Sequence, residues 1–302
     1  MNIFMTGGTG FVGTTLAREL SAANHRVTIL TRPGKEKKTS LAGVSYVDGD
    51  PTRRGPWQEK VPGHDVLINL AGSPVFARWT DAVKKDLRES RILTTAHLVE
   101  ALESGPGERP SLLSTSAVGY YGFHGDEELD ETSGPGSDFL AALALEWEEK
   151  ALEAEKRGVR VVICRFGIVM GKNGGALAQM VRPFRFGAGS PLGSGRQWFS
   201  WIHEMDLVRI FLFLMENQEI TGPVNCTAPH PVRNGELTKI MGRVLGVPTF
   251  LPAVPGFLVS LILGEFGSVL LKGQKVMPVK LLKAGFRFEY PDMERALKNL
   301  LK

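Results

Sequence analysis

Residues 6–13 read Thr6-Gly7-Gly8-Thr9-Gly10-Phe11-Val12-Gly13 and follow directly on the apolar run Ile3-Phe4-Met5. An apolar run that leads into closely spaced glycines is typical of a strand that turns into a helix. Beyond the turn, apolar side chains recur at helical spacing, at Phe11, Val12, Leu16 and Leu20. The stretch therefore predicts a strand, a glycine-rich turn and a helix over residues 11–23.

The glycines of this turn predict a dinucleotide-binding site. One glycine allows the tight turn, one lets the backbone approach a pyrophosphate, and one lets helix and strand pack closely. The start of the helix adds free N–H groups and a positive dipole end for the phosphates. The residues predicted to bind the cofactor here are Gly7, Gly10, Phe11, Val12 and Gly13. The alternative is a glycine-rich turn that binds no ligand.

The composition is that of an ordinary globular protein. The chain has 302 residues, of which 43% are hydrophobic and 23% are charged. This length suffices for one large α/β domain or for two coupled ones. The net charge of +4 is spread along the chain without a long block of like charges, so we expect no nucleic-acid partner.

The cysteines and the chain start bear on the compartment. Cys164 and Cys226 lie in apolar, strand-like runs, where buried structural thiols are expected. Two cysteines form neither a disulfide framework nor a metal-ligand pattern. A first strand that begins at Asn2 leaves no room for a targeting peptide, and the apolar residues 257–263 are too few to span a bilayer. These features predict a cytoplasmic protein without a metal site or a membrane partner.

Strand and helix signals alternate through the first half of the chain. Apolar runs predict strands at residues 27–30, 44–47, 66–70, 112–115 and 159–166, and helical patterns span residues 79–103 and 138–156. The last of these strands is almost continuously apolar, which is typical of a parallel sheet that is buried on both faces. The alternation predicts an α/β fold with a Rossmann doubly wound parallel sheet.

The pattern loosens after Gly167, where glycine and proline become frequent and later segments are mostly helical. This part is too irregular to form a second Rossmann half. We predict a cofactor-binding Rossmann domain over residues 1–166, to which residues 198–226 return. Residues 167–302 are predicted to form a smaller, mostly helical substrate-binding lobe that closes over the carboxyl edge of the sheet.

The end of the second strand favours NADP over NAD. An acidic residue usually meets the free 2′-hydroxyl about 20 residues past the glycines, but this chain has Arg32 there. A guanidinium suits a 2′-phosphate through charge-assisted hydrogen bonds. Asp50 is predicted to accept a hydrogen bond from the adenine, and the small residues that follow the fourth strand bring backbone close to the cofactor, at Leu70, Ala71 and Gly72. The alternative is that Arg32 is a surface arginine.

Together these residues resemble the short-chain dehydrogenase/reductase superfamily, in its extended, epimerase-like branch. The resemblance spans essentially the whole chain and is carried by the glycine turn, Asp50 and residues 70–72, 114–116 and 201–206. Residues 183–187, 193–197 and 231–234 are similar to an atypical subgroup of epimerase/dehydratase-like proteins, some of them called cell-division-inhibitor-like. The resemblance implies the Rossmann fold and NADP(H) as cofactor.

Members of this superfamily normally use a serine, a tyrosine and a lysine, the last two spaced Tyr-x-x-x-Lys on one helix. Ser116 matches the serine. With Glu148 as the glutamate at the end of that helix, the tyrosine position falls on Leu140 and the lysine position on Ala144. Neither side chain transfers protons. The resemblance therefore implies the cofactor but not the usual acid–base chemistry.

Two side chains are hypotheses for the missing proton donor. Tyr121 follows Ser116 on the loop above the sheet, and His203 lies in a stretch that returns near the substrate pocket in the superfamily. A histidine with an ordinary pKa donates protons at neutral pH. The alternatives are that the tyrosine packs on the cofactor and that His203 is a structural hydrogen-bonding residue.

Arg196 and Trp201 are predicted to contact a substrate. Arg196 lies in a glycine-flanked loop, where ligand contacts concentrate, and it suits an anionic group. Trp201 would wall the pocket. The alternatives are an ion pair between the lobes for Arg196 and a core position for Trp201.

These features predict an NADP(H)-binding, atypical reductase or epimerase-like oxidoreductase that acts on an unidentified small molecule. The missing tyrosine and lysine support a second hypothesis, in which the protein binds NADPH as a sensor or regulator without turnover. The sequence leaves the oligomeric state open, with a homodimer as one candidate.

Overall fold

The computed structural model describes residues 1–34, 42–102, 110–172 and 174–302. The described residues form thirteen strands: β1 (Asn2–Thr6), β2 (Arg26–Thr31), β3 (Val44–Asp48), β4 (Val66–Asn69), β5 (Ser111–Ala117), β6 (Glu128–Leu129), β7 (Arg160–Phe166), β8 (Ile168–Gly171), β9 (Trp198–Phe199), β10 (Trp201–His203), β11 (Gly222–Cys226), β12 (Val232–Arg233) and β13 (Lys275–Val276). The helices are α1 (Phe11–Ala22), α2 (Asp81–Glu100), α3 (Phe139–Leu152), α4 (Gly175–Arg185), α5 (Glu204–Glu216), α6 (Asn234–Leu245), α7 (Gly256–Leu263), α8 (Gly267–Leu271), α9 (Val279–Lys283) and α10 (Met293–Leu301).

Seven parallel strands form the central sheet in the order β11-β7-β5-β4-β1-β2-β3. Strand order reverses between β1 and β4, which is the switch point of a doubly wound sheet. The predicted Rossmann α/β fold is confirmed. Because the sheet is parallel, the carboxyl ends of β1, β2, β4 and β5 lie along one edge, and the loops that leave them meet there.

Alternation along the strands divides the core into two layers. In β1, Ile3 and Met5 pack with α1 and α5 on one face, whereas Phe4 packs with α2 and α3 on the other. The apolar strands are therefore covered on both sides, which explains the nearly continuous apolar run of β7.

Two helix ends differ from the predictions because caps override the apolar pattern. Helix α2 begins at Asp81 rather than at residue 79, since the Thr80 side chain accepts a hydrogen bond from the backbone of Val83. Helix α3 ends at Leu152 rather than at residue 156, and a 3₁₀ turn (Glu153–Arg157) carries the chain to Gly158 in the left-handed conformation.

The chain beyond β7 contributes both to the central sheet and to a separate apolar cluster. Strand β11 joins the central sheet beside β7, and α5 packs against α1. Helices α4, α6 and α10 share a separate apolar cluster, and α7 and α8 lie near the cluster between α2 and α3. The division of the chain at residue 166 remains a prediction.

No helix within the described residues is long and apolar enough to cross a membrane, and α7 has only eight residues. The same described residues hold no group of three or more side chains suited to a metal ion.

Candidate cofactor and catalytic site

The glycine turn packs tightly against the end of β4. Gly7 has φ +69°, in the left-handed region, and a Cβ added there would lie 2.6 Å from the carbonyl carbon of Leu70. A Cβ at Gly13 would collide with the carbonyl oxygen of Gly7. Gly7 therefore holds the turn against the chain that leaves β4, and Gly13 lets α1 start close under it.

Gly10 differs from these two glycines because its surroundings are less crowded. It caps α1 without a side-chain hydrogen bond, and an added Cβ would meet only the Gly7 carbonyl oxygen, at 3.1 Å. The first N–H groups of α1 therefore lack a capping side chain, and no acidic residue lies in the first turn. This arrangement fits a phosphate group, whose charge the helix N-terminus stabilises.

Phe11 and Val12 directly follow Gly10 and begin α1. Phe11 and Val12 are half-buried, and the Phe11 ring lies where side chains at Gly171 and Gly175 would otherwise project. Helix α1 thereby packs against the end of β8 and the start of α4. Cofactor contact by these two residues remains a prediction.

Arg32 and Asp50 lie near one another beyond β2 and β3. Arg32 is exposed, and Asp50 accepts hydrogen bonds from the backbone and the hydroxyl of Thr52, at 3.0 and 2.8 Å. Burial raises the pKa of Asp50, but the Thr52 hydrogen bonds and the Arg32 charge outweigh it, so the net pKa is lowered. The structure thus leaves the Arg32 guanidinium accessible while an ionised Asp50 lies in its field. Their roles in 2′-phosphate and adenine binding remain predictions.

Ser116 is tied into a buried ion pair. Its hydroxyl donates to Glu148 Oε1 at 2.6 Å, and Arg165 donates to both oxygens of the same carboxylate, at 2.8 and 2.7 Å. All three side chains are buried. The predicted catalytic serine therefore lies at the expected strand end, and its hydroxyl already donates a hydrogen bond to Glu148.

Tyr121 belongs to the same network. Its hydroxyl donates to Asn225 Oδ1 at 2.7 Å and accepts from Arg165 Nη1 at 2.9 Å. Burial raises the pKa of Tyr121 to about 12 despite the nearby Arg165 charge. The residue has no accessible surface, so this geometry gives no support to a proton-donor role.

The positions of the usual tyrosine and lysine are apolar in three dimensions as well. Leu140 and Ala144 lie one turn apart on α3, and Ala144 is buried. The Leu140 side chain packs with the apolar cluster between α2 and α3 and approaches Gly119. Neither candidate proton donor, Tyr121 or His203, lies on α3.

The contacts of His203 favour the structural alternative, and its catalytic role remains a prediction. Its Nδ1 accepts from the backbone N–H of Met205 at 3.0 Å, and its Nε2 donates to Asn299 at 3.2 Å. The ring stacks on Tyr290, with ring centroids 3.8 Å apart. The side chain is fully buried, and burial lowers its pKa. His203 therefore caps α5 as a neutral imidazole.

The position of Trp201 favours the core alternative, and its contact with substrate remains a prediction. It has no accessible surface, and its indole N–H donates to the carbonyl oxygen of His230 at 3.0 Å. Arg196 is exposed in its loop, as expected. Ion pairs between the first half of the chain and the later segments join Arg233 to Asp126, Lys275 to Glu128 and Lys84 to Glu265, at 2.7, 2.8 and 2.5 Å.

The sequence analysis missed Arg91. Its side chain donates to the carbonyl oxygens of Leu87 and Ser73, both at 3.0 Å, and is half-buried beside Gly72. The spacing could have revealed it, because Leu87, Arg91 and Thr95 lie four residues apart along the chain. Residues at this spacing share one face of a helix, which places the arginine on the inward face of α2.

Comparisons with known proteins agree with this fold. The model of the NAD dependent epimerase/dehydratase family matches residues 3–226, and a domain of unknown function, DUF1731, matches residues 254–300. The chain is 42% identical over 304 residues to the chloroplastic epimerase family protein SDR39U1 homolog of Arabidopsis thaliana, covering all of this chain and 87% of that one. It is 40% identical over 302 residues to the epimerase family protein YfhF of Bacillus subtilis, covering 100% and 98%.

A solved structure resembles the chain over its whole length. The crystal structure of human epimerase family protein SDR39U1 with NADPH has a TM-score of 0.85 and 32% sequence identity, and the match covers 99% of each chain. The chain belongs to the NAD-dependent epimerase/dehydratase family, with a DUF1731 segment at residues 254–300.

Proposed function

We propose that this protein is an NADP(H)-binding, atypical reductase or epimerase-like oxidoreductase that acts on a small molecule. The observation that carries the proposal is the glycine turn, where Gly10 leaves the first N–H groups of α1 open while Gly7 and Gly13 make the close contacts. The NADPH complex of a relative that is 32% identical supports the same cofactor.

The residues present fit the parts of a dinucleotide. The open start of α1 holds the pyrophosphate, and the backbone of Leu70, Ala71 and Gly72 borders the same edge of the sheet. Arg32 is exposed and available to a 2′-phosphate. When bound, NADP(H) supplies or accepts a hydride.

Ser116 remains in the proposal as the residue that polarises a substrate carbonyl or hydroxyl. Its hydroxyl would have to turn away from Glu148, to which it donates at 2.6 Å. The proton donor is left unassigned, because Leu140 and Ala144 replace the usual pair and His203 is enclosed. Substrate contact by Arg196 is kept because its side chain is exposed.

A second function is favoured by the apolar surroundings of Leu140 and Ala144. A protein that binds NADPH as a sensor or regulator needs the glycine turn but no proton transfer at α3. Oxidation of NADPH should be measured with a panel of carbonyl compounds, for the wild type and for Ser116→Ala. Turnover that Ser116→Ala lowers supports the enzyme, and the absence of turnover with all compounds favours the sensor.

The cofactor assignment is tested by titration with NADPH and NADH, followed by nicotinamide fluorescence. Arg32→Asp should weaken NADPH binding by about tenfold or more, because it removes a charge-assisted contact, and should change NADH binding little. Arg26→Asp, an exposed arginine at the other end of β2, is the matched control. An equal loss for both cofactors would remove Arg32 from the 2′-phosphate site.

We also propose that the ligand is a small molecule, that the protein is cytoplasmic and that it has no nucleic-acid or membrane partner. A homodimer stays open and is tested by sedimentation at several protein concentrations.

A further inference from the structure

Arg91 carries a charge that no described residue neutralises. Its two described hydrogen bonds go to neutral carbonyl oxygens, of Leu87 and Ser73. No carboxylate within the described ranges forms an ion pair with it. Burial lowers the pKa of Arg91 to about 10, and the more distant Asp86 offsets this only in part. A half-buried cation with no anion beside it is costly in the free protein.

The guanidinium lies against the turn that follows β4. A Cβ at Gly72 would stand 3.0 Å from Arg91 Cζ and 3.2 Å from Nη2, so a larger residue there would push the guanidinium away from the backbone. Two residues earlier, Leu70 is the residue on which the Gly7 turn packs. Contacts therefore run without a break from the glycine turn, across the end of β4, to Arg91.

The side chain is also held rigidly. The Arg91 guanidinium lies over the Trp147 ring, 5.2 Å from its centroid. The Trp147 indole donates to Thr95 Oγ1 at 2.9 Å, and the same oxygen accepts from Asn69 at 2.8 Å. Because Thr95 follows Arg91 by one helical turn, α2, α3 and β4 together set the position of the guanidinium.

Donors remain free on this fixed group. A guanidinium has five N–H donors, and two are used in the bonds described above. The group is half-buried rather than enclosed, and it lies against Gly72 in the segment that follows β4. A planar fork of donors held in place is suited to the oxygens of a phosphate group.

We propose that Arg91 binds the pyrophosphate of the dinucleotide and adds a full positive charge to the partial positive charge at the start of α1. This inference rests on the proposed cofactor. It divides the phosphate contacts between two arginines: Arg91 serves the pyrophosphate that NADPH and NADH share, and Arg32 serves the 2′-phosphate that NADPH alone carries.

The test compares Arg91→Met with Arg88→Met in the full chain. Arg88 lies on the same helix and pairs with Glu146 at the surface, so its replacement is the matched control. Dissociation constants are measured by calorimetry for NADPH, NADH and 2′-phospho-ADP-ribose, which keeps both phosphate sites but has no nicotinamide. Melting temperatures are measured with and without NADPH.

Arg91→Met should weaken all three ligands by about tenfold or more, because a charged hydrogen bond is lost. The ligand-free melting temperature should stay level or rise, since an apolar stem replaces an uncompensated buried charge. Arg88→Met should leave all three affinities unchanged. If Arg91→Met does not fold, Arg91→Gln, which keeps a donor for Ser73, carries the same expectation for affinity.

Unchanged affinities with a lowered melting temperature would overturn the inference and make Arg91 a tie between α2 and the Gly72 turn. A loss confined to NADPH would also overturn it, because it would place Arg91 at the 2′-phosphate. If the wild type binds none of the three ligands, the proposed function fails with it; if the wild type binds them and Arg91→Met binds equally well, only the inference fails.

Discussion

Two arginines lie near the carboxyl edge of the sheet, Arg165 buried and Arg91 half-buried, and they differ in whether a carboxylate neutralises their charge. Around Arg165, the paired interior consists of Ser116, Tyr121, Glu148, Arg165 and Asn225, and every charge has a partner. Around Arg91, the open edge consists of Gly7, Gly10, Gly13, Gly72 and Arg91, and the described partners are neutral carbonyl groups.

The pKa directions express this difference. Burial alone lowers the pKa of an arginine, as at Arg91. At Arg165 burial acts the same way, but the hydrogen bonds and charge of Glu148 outweigh it, so the net pKa is raised. The Arg165 charge is therefore satisfied within the fold, whereas the Arg91 charge is the one that we propose binds a ligand.

The largest expected effect comes from breaking the paired interior. Glu148→Gln leaves Arg165 buried without a counter-charge and should lower the free energy of unfolding by about 3–5 kcal/mol. Urea denaturation measures this change. Glu146→Gln, two residues away in an exposed pair with Arg88, should cost less than about 1 kcal/mol. Similar losses for the two variants would show that Arg165 does not depend on its partner.

Two substitutions in the glycine turn test the open edge, and their expected effects are intermediate in size. Gly13→Ala puts a methyl group onto the Gly7 carbonyl and within 2.6 Å of Gly8 Cα, so it should lower the free energy of unfolding by about 1–3 kcal/mol. Gly10→Val should leave a folded protein that no longer binds NADPH, because its side chain projects into the space for pyrophosphate. Urea denaturation and NADPH fluorescence separate the two effects. NADPH binding by Gly10→Val would place the cofactor elsewhere.

The smallest expected effect concerns His203, a buried imidazole outside both regions that is neutral in the folded protein. Because its folded pKa lies below the ordinary 6.5, the unfolded chain binds a proton first, and stability falls as pH drops through 6.5. Between pH values of about 7.5 and 5.5, the wild type should lose about 1 kcal/mol more than His203→Asn, which keeps a capping oxygen. Equal losses in urea denaturation at the two pH values would mean that His203 does not titrate on unfolding.

The parts of the site that depend on neighbours in sequence could be predicted. Gly7, Gly10 and Gly13 follow an apolar strand, and the chain itself brings them into one turn. Leu140 and Ala144 could be placed by counting back from Glu148 along one helix. Each of these predictions needed only the local geometry of a strand, a turn or a helix.

The predictions that the structure does not support concern side chains whose partners are distant in the chain. Trp201 reaches His230, and His203 reaches Asn299 and Tyr290. Tyr121 meets Asn225 across about a hundred residues of chain. A tryptophan or histidine beside a predicted pocket has the same sequence signature whether it faces the pocket or the core.

By itself, the sequence determined the doubly wound sheet, the position of the glycine turn and the absence of the usual tyrosine and lysine from α3. Each of these follows from periodicity and spacing within short segments, where backbone geometry leaves few choices. Only the tertiary structure decided which buried polar groups are paired. It enclosed Ser116 and Tyr121 with Arg165, and it left Arg91 without a carboxylate partner among the residues that the structure describes. Pairing depends on contacts between separate elements, and a charge becomes available or satisfied only when those elements pack.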